Sequence, residues 1–303
     1  MITRDADVFF AHARTLARDF GPPTARAAFV VAPDGFARAP QSAQDNAYMA
    51  AAAAFDADAA GRQHRALQAA IASVLPAICF AGDPATPDAV FPNNVFATAA
   101  GRVIIGRMRH PVRQREALRS DIRAFFTELL GREAIDLSTQ AHPCELTGAL
   151  VVDRARGIGY IGLSERCDEE GARLLHEAFG LRATLLFSLA PGEYHTNVVL
   201  AVLAGRAVVI CPDGFADPAV AAAIAGFHAP HALVCSDAEH AAFVGNCIAL
   251  STDTVWMSAR AHAALRPASA QVLTTAGFEV RAVALDAIEA GGGSLRCCIG
   301  EIF

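Results

Sequence analysis

No stretch of the chain is long enough to cross a bilayer. The longest apolar runs, Ala47 to Phe55 and Val198 to Ala204, fall far short of the about 20 residues a spanning helix needs, so no membrane partner is expected. The chain also lacks a long basic run, and its net charge is −6, which argues against a nucleic-acid partner. Met1 to Asp7 is not followed by the apolar segment of a secretory signal. The eight cysteines, at 79, 144, 167, 211, 235, 247, 297 and 298, include no Cys-x-x-Cys pair and no zinc-like Cys/His spacing. A cytoplasmic protein with reduced thiols, no metal and no organic cofactor is expected. No linker rich in Gly, Ser or Pro interrupts the chain, which predicts a single domain over 1–303. What is present is a composition 53% hydrophobic and 18% charged over 303 residues, enough for a large core.

The pattern along the chain is repetitive. Ala27 to Ala32 reads as a buried strand ended by the turn Pro33-Asp34-Gly35, and the alanine-rich stretch Gln44 to Val74 as one or two helices before a strand at Ala77 to Ala81. Two short strands then flank a turn at Ala100-Gly101-Arg102, and Arg113 to Leu130 follows as an amphipathic helix with Leu118, Ile122, Phe125, Phe126, Leu129 and Leu130 on one face. The rhythm of hairpin, helix and strand recurs from Leu150, from Thr196 and from Cys247, with helices over Cys167–Phe179, Pro218–Phe227 and Arg260–Ala276. A spacing of roughly 50–60 residues between passes points to a propeller-like or arrayed fold. The first strand and helix join the last strand as a fifth unit.

Residues 288–303 hold the most suggestive stretch. Gly291-Gly292-Gly293-Ser294 runs into Leu295-Arg296-Cys297-Cys298, where Leu295, Cys297 and Ile299 alternate as in a short strand. A glycine run lets backbone approach a ligand closely, and a thiol just behind it is placed to be a nucleophile. A buried structural cysteine is the competing reading. His195, in Glu193-Tyr194-His195-Thr196-Asn197, stands at a strand entrance, where a histidine can act as acid or base near neutral pH or simply cap the surface. Glu145 precedes another strand, and Asp88 with Asn93-Asn94 precedes a third. Each of these alone reads as an ordinary surface or turn residue. Together, Asn94, Glu145, His195 and Cys297 each open the first strand of a unit, and equivalent ends of a circular repeat converge. A cysteine, a histidine and a carboxylate are the parts of thiol covalent catalysis.

With these residues in place the sequence resembles the guanidine-modifying (pentein) enzyme superfamily, which includes arginine deiminase, dimethylarginine dimethylaminohydrolase and the amidinotransferases. The resemblance covers most of the chain. It is carried by Asp88-Ala-Val-Phe-Pro-Asn-Asn94, Glu145-Leu-Thr-Gly148, Leu163-Ser-Glu-Arg166, Tyr194-His195-Thr-Asn197 and Gly291-Gly-Gly-Ser-Leu-Arg-Cys297, in family order. Similarity is strongest to an arginine-deiminase-related subgroup of citrulline hydrolases. The resemblance implies an α/β fold, a five-bladed α/β-propeller of repeated ββαβ-type modules with pseudo-fivefold symmetry. It implies Cys297 as nucleophile, His195 as general acid and base, and Glu145 as its acidic partner. Asp88, Asn93 and Asn94 are implied to grip the reacting end of the substrate, and Arg166, with Arg113 as second candidate, its carboxylate. A bidentate guanidinium suits an amino-acid carboxylate. Cys298, on the opposite face of the expected strand, should be packed and inert. A homodimer is compatible with this reading.

One departure bears on the substrate. Many guanidine enzymes end the loop in acidic residues, and here the positions are Asn93 and Asn94. An amide offers an acceptor and two donors, which matches a neutral ureido group. The leading expectation is therefore hydrolysis of citrulline to ornithine, ammonia and carbon dioxide. Asp88 and Glu145 keep a guanidinium open, so a deiminase or dihydrolase acting on arginine or methylarginine is the alternative, followed by an amidinotransferase. A catalytically inert scaffold, such as the translation factor that shares the fold, predicts loss of the Cys/His/Glu set, which is intact here.

Overall fold

A computed structural model describes all residues, 1–303. Five small sheets follow one another along the chain, and each repeats one plan. Two strands form an antiparallel hairpin; a helical crossover then returns the chain to a third strand, parallel to the second, as such a connection requires. The strands are 96–99, 102–105 and 133–136 in the first module, and 150–153, 158–163 and 183–188 in the second. They are 200–203, 207–210 and 232–234 in the third, and 248–249, 254–258 and 279–283 in the fourth. The last module is closed by the two ends of the chain: Gly300–Ile302 pairs antiparallel with Ala27–Val31, which pairs parallel with Ala77–Phe80. The strand Ile2–Thr3 adds to the outer edge of the second sheet. The first strands of the modules are neighbours: Gly300–Ile302 lies beside Phe96–Ala99, and Leu200–Leu203 lies between Leu150–Asp153 and Ile248–Ala249.

The third strands Glu133–Asp136 and Ala232–Val234, four and three residues long, are too short to show a period. The helix expected over Arg113–Leu130 is broken. It consists of Pro111–Gln114, a 3₁₀ turn Glu116–Leu118, Ser120–Ala124 and a π turn Phe125–Leu129. The chain bends at Arg119, which throws Leu118 outward at 72% exposure, and the widened last turn leaves Leu129 at 73%. Ile122 and Phe126 keep the core, Phe126 meeting Phe29 edge-on at 5.3 Å. The helix expected over Arg260–Ala276 is likewise split into Ala259–Ala264 and Pro267–Thr275, because Pro267 starts a new helix rather than continuing one.

The strands expected to begin at Thr196 and at Leu295 begin later. Each is preceded by one helical turn, Thr196–Val199 and Leu295–Cys298, and matching turns occupy Leu146–Ala149 and Pro92–Asn94. Cys297 and Cys298 therefore do not lie on opposite faces of a strand. These turns, one ahead of the first strand in four of the modules, hold Asn93, Asn94 and Cys297 and directly follow Glu145 and His195.

Candidate active site

The helical turns bring the expected residues together. Glu145 and His195 each stand immediately ahead of their turn, Asn93 and Asn94 lie in one, and Cys297 in another. All are buried, Cys297 at 1% exposure. Gly292 has φ +77, a conformation that suits glycine, and its carbonyl accepts from the Tyr194 hydroxyl, which ties the tail to the His195 turn.

Glu145 is the hub. Its Oε2 lies 2.8 Å from His195 Nε2, its Oε1 accepts from the Arg109 backbone N–H at 2.9 Å, and Arg166 Nη1 donates to it at 3.2 Å. Burial alone would raise the carboxyl, but the charge of Arg166 and the bond to His195 hold it far below the usual range. Glu145 is thus the anion that orients His195. Burial pushes the imidazole down, against the opposing pull of Glu145. Its other nitrogen, Nδ1, has no partner. A side chain at Gly148 would strike both this imidazole and Asn94 Oδ1, at 2.8 and 2.4 Å, so glycine there keeps the two groups facing each other.

Cys297 makes no hydrogen bond to His195. Its Sγ lies 3.3 Å from Asn246 Nδ2 and 3.7 Å from Asn197 Oδ1. Burial raises the thiol, and the Asn246 N–H opposes that rise. Cys298 is sealed, with Ser294 O 3.5 Å from its sulfur, and burial pushes it well up. It is packed as expected, although in a helical turn.

Asp88, Asn94, Arg113, Arg166 and Cys297 line one cavity of about 20 Å³, together with Ser42, Asn46 and Met49. That volume holds about one water. Ser42, Asn46 and Met49, from the segment between Phe36 and Asp56, cover one side of it. Asp88 Oδ2 accepts from the Ser42 hydroxyl at 2.5 Å, while Asp88 Oδ1, Asn93 Oδ1 and Asn94 Oδ1 are buried acceptors without donors. Burial raises Asp88 despite the nearby charge of Arg113.

Both candidate arginines reach the cavity, and both carry partners. Arg113 forms a bidentate pair with Glu116 at 2.9 and 2.8 Å and donates to Phe91 O at 3.0 Å. Arg166 forms a fork with Asp45 at 2.8 and 2.6 Å, besides its bond to Glu145. Asp45 in turn lies 3.0 Å from His110.

Sequence reasoning missed Asp45, Ser42 and Asn46, which carry no local signal within an alanine-rich stretch. It also missed Asn246, which the repeat itself could have found, since Asn246 stands ahead of the fourth module's first strand. A second cavity of about 50 Å³ lies among the first strands and is lined by Thr147, Arg154, Asn197, Arg296 and Glu301; Cys297 is not part of it.

A family model for N,N dimethylarginine dimethylhydrolases, eukaryotic type, matches residues 32–303. The N(G),N(G)-dimethylarginine dimethylaminohydrolase of Mycobacterium tuberculosis is 28% identical over 216 residues, which span 71% of this chain and 66%, just under two thirds, of that enzyme. Among solved structures, the N-terminal domain of ArgZ, an arginine dihydrolase from the ornithine-ammonia cycle in cyanobacteria, superposes with a TM-score of 0.79 at 20% identity, over 91% of this chain and 97% of its own. A dimethylarginine dimethylaminohydrolase bearing an S-methyl-L-thiocitrulline adduct superposes with a TM-score of 0.69 at 19% identity, over 92% of this chain and 100% of its own. At these identities the two structures bear on the mixed α/β fold alone.

Proposed function

Because the chain belongs to the N,N dimethylarginine dimethylhydrolase family, within the guanidine-modifying superfamily, we propose that it hydrolyses a C–N bond at the central carbon of a guanidino amino acid such as arginine. Cys297 is the nucleophile. The observation that carries this reading is a small cavity lined by a buried thiol and by the donorless acceptors of Asp88 and Asn94, with a carboxylate-oriented imidazole facing Asn94 across Gly148. Buried acceptors without donors are costly, and a planar group rich in N–H satisfies them. Charge supports the same class. Four carboxyls, Asp45, Asp88, Glu116 and Glu145, face two guanidiniums, Arg113 and Arg166. A cationic substrate supplies the missing positive charge, opposes the upward push of burial on Asp88 and draws the raised Cys297 thiol toward thiolate, the reactive species.

In the first step the Cys297 sulfur gives its electron pair to the substrate carbon and a C–N bond breaks. His195 delivers a proton to the departing nitrogen. Water then attacks the sulfur-bound carbon, His195 takes its proton, and the thiolate is expelled. Glu145 holds the imidazole in place throughout. Carried through twice, with two waters, arginine yields ornithine, two ammonia and carbon dioxide. Asn93 and Asn94, neutral where acids would oppose a ureido oxygen, favour citrulline as a second substrate, consumed with one water to ornithine, ammonia and carbon dioxide. The single domain over 1–303 and the ring-like, five-bladed arrangement of its modules belong to the same reading, as does the amino-acid carboxylate taken by Arg166 and Arg113.

The test is to incubate the protein separately with arginine, citrulline and dimethylarginine and to measure ammonia, dimethylamine, citrulline and ornithine. Release from a guanidino substrate that vanishes in Cys297→Ala is the expected result. Turnover of citrulline alone would transfer the assignment to the second reading, and turnover undiminished in Cys297→Ala would end both.

A further inference from the structure

We infer that Asn246 is a positioning residue for Cys297, its side-chain N–H holding the sulfur in place and stabilising the thiolate. The inference deepens the reading above and rests on Cys297 as the nucleophile. Its starting point is the repeat. The turns ahead of four first strands supply Asn93 and Asn94, Glu145, His195 and Cys297. The fifth first strand, Ile248–Ala249, is the short one, and Asn246 stands two residues before it.

The approach to Asn246 is built rather than incidental. Phe243 holds φ 66, a conformation unusual for a bulky residue, and its carbonyl accepts from the Asn246 N–H at 2.9 Å. Its ring packs on Tyr48 with centroids 4.7 Å apart. A Cβ at Gly245 would stand 2.3 Å from Val198 O and 3.0 Å from Cys211 Sγ. Only glycine lets this turn press against the His195 module. Backbone strain of this kind persists only where its surroundings enforce it.

The amide that results is fully committed and cannot be turned over. Asn246 Oδ1 accepts from the Arg296 backbone N–H at 3.0 Å. A backbone N–H cannot accept, so Nδ2 must face the other way. There it donates to Asn197 O at 2.8 Å and to Cys297 Sγ at 3.3 Å. Beside it, Asn197 Nδ2 is tied to Thr147 O at 3.0 Å, which leaves Asn197 Oδ1 3.7 Å from Sγ and 3.5 Å from Asn246 Nδ2. The two amides have opposite effects. Asn197 Oδ1 accepts the proton of the neutral thiol, whereas Asn246 Nδ2–H remains useful only to a sulfur that accepts, and most to one that is charged. His195 makes no bond to the sulfur, so Asn246 is the one side-chain donor on it in the resting site.

The experiment titrates the Cys297 thiolate by its ultraviolet absorbance in the substrate-free protein, as the difference from Cys297→Ser. Wild type is compared with Asn246→Ala, Asn246→Asp and Asn246→Ser. Removing one hydrogen bond to a charged group predicts an upward shift of the midpoint by about 1–2 pH units in Asn246→Ala. Asn246→Asp keeps an acceptor for the Arg296 N–H but brings no donor, so its midpoint should rise at least as far. Asn246→Ser restores a donor and should fall between wild type and alanine. Equal midpoints in wild type and in whichever of the alanine and aspartate variants folds would overturn the inference. The readout needs no turnover: if Cys297→Ala retained activity, the nucleophile assignment would fail, whereas an unmoved titration beside an inactive Cys297→Ala would sink only the role of Asn246.

Discussion

Arg113 and Arg166 line the same cavity, are equally buried and each hold a carboxylate in a fork, yet they do different things. Arg113 pairs with Glu116, three residues along its own short helical stretch, and both side chains are 4% exposed. That pair closes on itself. Arg166 instead joins two distant parts of the chain, Glu145 in the site and Asp45 in the cover. The first arrangement makes a charge tolerable inside the protein. The second couples the state of the cover to the anion that orients His195. A buried arginine near a cavity is therefore not informative until its partners are known.

The difference can be broken first at the level of stability. Glu116→Ala leaves Arg113 buried without its anion, which should cost about 3–5 kcal/mol. Asp45→Ala leaves Arg166 with Glu145 and removes a side chain that is already 17% exposed, so its cost should be about 1 kcal/mol or less. Denaturant unfolding of the two variants measures both, and equal losses would erase the distinction. A smaller effect is expected in catalysis. Arg166→Lys keeps the charge but loses the Nη1 bond that steadies Glu145; one charge-assisted hydrogen bond is worth about 1.5–3 kcal/mol, or roughly a 10- to 100-fold fall in kcat. Arg113→Lys touches neither Glu145 nor His195, so its effect should fall on KM, through the substrate carboxylate, and on stability rather than on kcat. Steady-state kinetics on arginine separates them, and a larger kcat loss for Arg113→Lys would reverse the roles assigned here.

The smallest expected effect is in acid. Burial opposes ionisation of Glu145 and Asp45, but Arg166 holds both below their ordinary values of 4.5 and 3.8. A carboxyl depressed in the folded state contributes stability that is complete above its ordinary value and is lost as pH falls through the folded one. Stability should thus decline below about pH 4.5, and Arg166→Met should flatten that decline. An acid titration of unfolding free energy with the same slope in both proteins would show that Arg166 does not hold these groups.

Much of the site was legible because its residues sit at the same place in each repeat. Cys297, His195 and Glu145 could be picked out by their position ahead of strands, even though Cys297 lies within a helical turn and such a turn separates Glu145 and His195 from theirs. The resemblance supplied their roles. The broken helix after Pro111 was not legible, because its apolar spacing fits an unbroken helix as well as the bent one observed. Asp45 was not legible either, since a lone acid in an alanine-rich stretch carries no sign of a partner 121 residues away.

The order of residues by itself determined the module rhythm and the strand pairs of most sheets. These follow from backbone periodicity and turn chemistry, which act over a few residues. Only the tertiary structure decided which groups touch. It set Asn246 against Cys297, gave Arg166 to Asp45 and Glu145, and left the acceptors of Asp88, Asn93 and Asn94 without donors. Most contacts of that kind join separate modules and depend on how sheets pack, and no local pattern encodes the distance between segments 51 residues apart, as for Asn246 and Cys297, or 121 apart, as for Arg166 and Asp45.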